Sequence, residues 1–292
     1  MQSSPARLLT AALALCLPAT LVSVPAALGG PAAVSPKVAA EVPAAYKKKG
    51  TLVVATDATY APMEFIASNG KTIVGADADL AKALGGVMGL KMKLVNATFD
   101  TIIPGLQAHK YDLGISSFTD TKARQKVVDF VTYFSAGESF YVDAKGGPTI
   151  ETPADLCGRT VAVETGTTEA ADAQTQNAKC KQEGKPGVTV STYPDQNSAN
   201  LALSSGRAQV GWADSPTAAY IVKQSHGRFK LTGKVYGTAP YGIAIPKGTG
   251  LARPILDALE VLMANGTYRS ILAKWGLQQG AISNPKINGA IS

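Results

Sequence analysis

The order strand–helix–strand–helix–strand runs twice along this chain, and that recurrence limits its fold more than any other feature. In the first round, residues 51–56 (TLVVAT) are a short apolar run of strand type. Residues 75–89 carry Leu80, Leu84, Val87 and Met88 at helical spacing. Residues 91–96 predict a strand, 100–109 a helix and 112–116 a strand. The second round has strands over 159–164, 188–193 and 208–213, with helices over 167–179 and 197–205. Ser215 and Pro216 then start a helix over 218–224, with proline in its first turn. No residue-level identity links the halves, so the repeat is architectural. Alternating strands and helices predict an α/β fold with mostly parallel sheets, and two rounds predict two lobes. Two short strands (229–232 and 241–246) follow, then a helix over 254–265 stopped by Gly266 and a last helix over 268–275 ended by Gly276.

Ligands in open α/β sheets bind beyond the carboxyl ends of the strands. Here those ends carry Asp57 and Tyr60; Ser116, Ser117 and Thr119; Thr165, Thr167 and Thr168; and Asp214. Two groups come from each half, so the polar residues would line a cleft from both sides. The hydroxyl-rich turn after residues 112–116 leads to Arg124, whose guanidinium can hold a carboxylate with two parallel hydrogen bonds. Arg124 and the backbone N–H groups at Thr119 and Thr168 would receive the carboxylate of a zwitterion. Asp214, the Ser117 carbonyl and the Thr119 hydroxyl would receive its ammonium. Competing readings stay open at each position: a solvated Arg124 in a surface loop, helix capping for Asp214, Thr167 and Thr168, and a core role for Phe99.

The first 30 residues read as an export signal, with one charge at Arg7, an apolar run over 8–28 broken by Pro18 and Pro25, and small residues near Ala26. The run is also long enough to span a membrane. Cys16 after Leu13-Ala14-Leu15 resembles a lipoprotein attachment site, although Leu15 stands where a small residue is usual. Residues 31–48 are rich in alanine and proline and read as a tether. In an exported chain, Cys157 and Cys180 suggest a disulfide, with two buried thiols as the alternative. Neither these cysteines nor His109 and His226 have metal-ligand spacing, so no metal and no cofactor is expected. The net charge of +7 is scattered, its longest run being Lys47-Lys48-Lys49, and so does not predict nucleic-acid binding.

Several motifs in order resemble the solute-binding proteins of polar amino-acid ABC importers. They are TDxTYxPxEF at 56–65, YDxxISxxTxTxxRxxxVDFxxYF at 111–134, GIAIPK at 242–247 and NGTYxxILxKWG at 265–276. Met63 departs from the aromatic usual at its position. The resemblance implies a type II periplasmic-binding fold of two open sheets joined by a two-strand hinge. Lobe one would be 50–141 plus 239–281, lobe two 142–238, and 282–292 a C-terminal tail. It also implies a monomer that captures a free amino acid and docks to a membrane permease. Tyr60 and Phe99 match the positions that sandwich the ligand side chain, and Asp57 matches one at its polar end. With Glu64 nearby, an acidic wall would favour a cationic or amide side chain.

Two rival functions share this scaffold. An exported dehydratase would use Glu164, Glu169 or Glu64 as acid or base, but no nucleophile–base pair and no GxSxG motif is visible. A sensor or adhesin would keep the fold without transport. The segment GRFKLTGK at 227–234 has one residue too many for a P-loop. Trp212 and Trp275 read as core.

Overall fold

The computed structural model describes residues 33–291, so the export signal, its cleavage site and Cys16 lie outside the described residues. Two short helices come first, α1 (Pro36–Glu41) and α2 (Ala44–Lys49). Then follow β1 (Thr51–Thr56), β2 (Thr59–Tyr60), β3 (Glu64–Ile66), β4 (Ile73–Val74), α3 (Ala76–Met88), β5 (Lys91–Asn96), α4 (Phe99–Gln107), β6 (Leu113–Gly114) and β7 (Val128–Asp143). The second half holds β8 (Thr160–Glu164), α5 (Thr168–Gln182), β9 (Thr189–Tyr193), α6 (Gln196–Ser204), β10 (Val210–Asp214) and α7 (Ser215–Gln224). β11 (Phe229–Pro246), α8 (Ala252–Ala264) and α9 (Thr267–Trp275) close the chain.

Both alternating rounds build parallel pairs. β1 lies between β5 and β6, and β8 between β9 and β10, all parallel. The two half-sheets are not separate. β7 and β11 pair antiparallel from Val128↔Pro246 to Phe229↔Asp143 and run through both halves, giving one mixed sheet in the order β5-β1-β6-β11-β7-β10-β8-β9. The sequence reading recognised neither strand in full: it has no strand over 128–143, and it divides β11 in two. The reason is burial. β7 is buried along nearly all its length, so no period-two alternation marks it. β11 contains Gly233 and Gly237 at positive φ and is interrupted by register shifts, which read as a loop.

Residues 31–48 are a second departure. Val38 and Val42 sit four apart and are buried in the core formed by α3, α8 and the first half-sheet. Ser35 caps α1 and its N–H donates to the Val87 carbonyl at 2.9 Å. Alanine and proline content suggested a tether, but Val38 within α1 and Val42 just past its end suffice to dock it. Val38→Ala is therefore expected to destabilise the protein by roughly 1.5 kcal/mol, about 0.8 per methylene-sized group removed. A urea melt reads this out, and an unchanged midpoint would return the segment to a tether. The C-terminal residues also dock. Ile287 bridges Val131, and Asn288 exchanges backbone and side-chain hydrogen bonds with Phe130 along β7.

The second half has its own smaller core of Phe140, Leu156, Val161, Val163, Val210 and Trp212. Cys157 and Cys180 are disulfide-bonded, with Cα atoms 5.7 Å apart. A third cluster of Tyr60, Phe99, Phe118 and Phe130 lies under the strand ends, where the candidate site begins.

Candidate functional site

Beyond the carboxyl ends of β1, β6, β8 and β10 lies a pocket that is partly open to solvent. Tyr60, Phe99, Ser117, Thr119, Arg124, Thr167, Thr168 and Asp214 all line it, eight of the eleven positions read from the sequence.

Arg124 is held by both halves of the molecule. Its Nη1 donates to the Thr119 carbonyl at 2.9 Å and its Nη2 to the Gly166 carbonyl at 3.0 Å. The guanidinium lies 5.3 Å from the Phe99 ring centre and 5.7 Å from that of Phe118. Those two rings are stacked at 4.6 Å, so Phe99 is core and cavity wall at once. Burial pushes the Arg124 guanidinium down from its usual value, while Glu169, Tyr60, Asp214 and Asp120 oppose that shift. Tyr60 and Phe99 meet edge to face at 5.7 Å, so they are adjoining walls rather than two parallel faces.

Ser117 has φ of 50°, a left-handed conformation that costs energy in a residue with a Cβ. Its neighbours hold it there. Its N–H donates to Asp77 Oδ2 at 3.0 Å, and its hydroxyl donates to Glu64 Oε2 at 3.3 Å. The Tyr133 hydroxyl donates to the same Asp77 oxygen at 2.7 Å. Burial and then the Asp77 charge push the Glu64 carboxyl well above its usual range, while burial takes Asp77 up to about 6. Glu64 thus lies outside the cavity and acts on Ser117 from behind.

Across the cavity, α5 begins at Thr168. Thr167 caps it, its Oγ1 accepting from the Ala170 N–H at 3.1 Å while donating to the Glu164 carbonyl at 2.8 Å. The first N–H groups of the helix have no intrahelical acceptor, and the helix dipole favours an anion there. Asp214 stands at the N-cap position of α7 but makes no capping hydrogen bond, so the capping reading fails for it, and the residue lines the cavity. Burial, then the charge of Glu169, pushes that carboxyl well above the usual range.

Three positions read from the sequence lie behind the wall. Asp57 is 2% exposed, and its carboxylate accepts from the Thr59 hydroxyl at 2.7 Å and from the Phe99 N–H at 3.0 Å. Ser116 donates to Glu64 Oε1 and accepts from the Asp57 N–H, both at 2.8 Å. The Thr165 hydroxyl donates to the Tyr193 carbonyl at 3.0 Å. The acidic wall expected from Asp57 and Glu64 is therefore built by other residues. Glu169 lines the cavity, 4% exposed, with one oxygen accepting from the Thr168 hydroxyl at 3.1 Å. Gln196, Trp212, Ala213 and Thr217 complete the lining. Trp212 was read as core and is both: its Nε1 donates to Glu138 Oε2 at 2.7 Å, and Glu138 is pushed up to about 8, mainly by burial. The Glu169 signal was present as the residue after a helix-opening Thr-Thr, but an acidic residue in a first turn reads as dipole compensation.

The cavity thus presents one guanidinium and two carboxyls. Its formal charge balances a ligand that bears one carboxylate and two cations. Among the described residues, no group of three or more His, Cys, Asp or Glu is placed to hold a metal ion.

Residues 52–278 match the profile of the bacterial extracellular solute-binding proteins, family 3. The chain is 35% identical over 254 residues to the arginine-binding protein ArgT of Corynebacterium glutamicum, covering 87% of this chain and 83% of that one. Among solved structures, an ancestral arginine-binding protein bound to glutamine superposes with a TM-score of 0.72 at 38% identity, over 78% of this chain and 98% of its own. The ancestral amino-acid-binding protein AncCDT-1, a precursor of cyclohexadienyl dehydratase, superposes with a TM-score of 0.71 at 35% identity, over 79% and 97%.

Proposed function

The chain belongs to family 3 of the bacterial extracellular solute-binding proteins, and from that premise we propose that it captures a free cationic amino acid, arginine first, for an ABC importer. One observation carries the reading: Arg124 on one lobe and Asp214 on the other face a single cavity. The α-carboxylate would pair with the Arg124 fork and the N-terminus of α5, and the α-ammonium with Asp214, the Ser117 carbonyl and the Thr119 hydroxyl. Glu169 leaves a second negative group for a cationic side chain, and a neutral ligand would leave it unpaired. The arginine-binding name of the Corynebacterium relative and that of the ancestral protein support the same class.

Ligand would enter between the lobes, which close on β7 and β11. Closure excludes water and strengthens every charge pair inside. The hydrogen bonds from Arg124 to Gly166, and from the Gln196 N–H to Thr59 Oγ1 at 3.3 Å, join the lobes. The closed form would dock as a monomer to its permease. The exported protein would be held outside the cytoplasm either by cleavage near Ala26 and retention or by a lipid on Cys16. The intact mass of the mature protein separates the two.

The dehydratase reading retains the buried carboxyls of Glu164 and Glu169 and the likeness to AncCDT-1, itself described as an amino-acid-binding protein. A thermal-shift screen of the mature domain against the twenty amino acids, followed by calorimetry, tests the proposal. Arginine should give the largest shift and a dissociation constant of micromolar or tighter, about −8 kcal/mol. Glutamate binding alone would overturn the ligand class, and no binding at all would turn attention to the enzyme.

A further inference from the structure

Glu164 ends β8 and is 1% exposed, and neither of its carboxyl oxygens has a hydrogen-bond partner. The Tyr60 hydroxyl, on the opposite lobe, is also buried without a partner at full hydrogen-bond geometry; Glu164 is the charged group that acts on it most, and their contact is at most a loose hydrogen bond. Each orphan alone is expensive: an unpaired buried hydroxyl costs one to a few kcal/mol by order of magnitude, and an unpaired buried carboxylate far more. The titratable groups that act most on Glu164 are Asp57, Tyr60, Asp195 and Glu169, all of them acidic. The Asp57 carboxylate has its own donors in Thr59 and Phe99, and Asp195 caps α6 through the Ser198 N–H.

From this juxtaposition we propose that Glu164 is a positioning residue that works as a neutral carboxylic acid, taking up one proton as the lobes close on ligand and bonding Tyr60 across the cleft. With the proton in place, Tyr60 donates to the Glu164 carbonyl oxygen and the Glu164 hydroxyl turns to Asp57. Both orphans are then satisfied. The pair fixes the Tyr60 ring, which is cavity wall, and ties the two lobes together beside the bound amino acid. This rests on the amino-acid-capture reading above.

The sign of the pH effect follows from where the charge is tolerated. An open cleft would give Glu164 to water, where it would titrate near the usual carboxyl value of 4.5, whereas in the closed form burial, then the Asp57 charge, takes it up to about 10. Closure therefore gains a proton between those limits, and this contribution to affinity is full at low pH and lost as pH rises through the window. Asp214 and Glu169 act oppositely for a cationic ligand, since ionising them strengthens binding. The diagnostic quantity is accordingly a difference between variants and not the raw profile.

Arginine binding is measured by calorimetry from pH 6 to pH 8 for wild type and Glu164→Gln, which is isosteric and always neutral. The ratio of wild-type to variant dissociation constants should rise by roughly tenfold or more over that range. At pH 7, titrations in phosphate and in Tris should show wild type taking up about one proton more than the variant. Should Glu164→Gln not fold, Glu164→Leu, which asks no hydrogen bond of its site, must lose the same proton. Parallel pH profiles with equal proton uptake would overturn the inference while leaving amino-acid capture intact. No binding of arginine or any other amino acid by wild type would overturn both.

Discussion

Arg124→Ala should weaken arginine binding by roughly 2–5 kcal/mol, about 30- to 4,000-fold in the dissociation constant. In the proposed complex the guanidinium is the one cation among the described residues that lines the cavity; the Thr119 carbonyl and the Phe99 and Phe118 rings of its own lobe position it, and the Gly166 carbonyl joins them when the lobes close. Truncation leaves the ligand carboxylate facing Glu169 and Asp214 with only helix N–H groups to receive it. Arg124→Lys separates charge from geometry. Lysine keeps the positive charge but has no planar fork, so it cannot satisfy two carbonyls and a carboxylate together. A loss of at least tenfold, about 1.4 kcal/mol, is expected for it. Calorimetry with arginine measures both. Wild-type affinity in either variant would remove Arg124 from the site.

The second large effect concerns stability. Replacing Cys157 and Cys180 together by serine should cost roughly 3 kcal/mol on the chain-entropy estimate, given their sequence separation of 23. Helix α5 depends on the link more than an ordinary helix would. Its buried positions are Glu169, Ala170, Ala173, Gln176 and Cys180, which include no large aliphatic residue. Little hydrophobic burial holds it, and the disulfide anchors its last turn to the segment before β8. A fall of about 6–12 °C in the midpoint follows for a chain of this size. Because the N-terminus of α5 carries Thr168 and Glu169 into the cavity, ligand affinity should fall with it. A double variant that melts with the wild type would show that packing alone holds the helix.

Much of this arrangement was legible without coordinates. Residues 51–56 and 91–96 are strands as read, and the helices and strands of both rounds lie within a few residues of expectation, because each is a short element with its own hydrophobic period or, for α5, a helix-opening Thr-Thr pair. The polar residues after those strands converge because parallel β/α units place every strand end on the same edge. The failures have one cause. Val38 and Val42, the whole of β7, and the unbroken β11 are defined by what they pack against, and local pattern does not encode a partner. The same holds within the site. Asp57 and Glu169 are both acidic residues near strand or helix ends, but Asp57 turns inward to the Thr59 hydroxyl and the Phe99 N–H, while Glu169 faces the cavity.

The sequence alone thus determined the alternation, the fold class, the family and the polar residues, Arg124 and Asp214 among them, that gather beyond the strand ends, and it suggested the cysteine pairing. Each depends on residue type and spacing along the chain. The tertiary structure decided which carboxyls belong to the cavity, how two long strands join the lobes into one sheet, and that Glu164 and Tyr60 are both buried without a partner at full hydrogen-bond geometry. Those depend on which groups lose water together, and burial is a property of the packed chain and not of any segment of it.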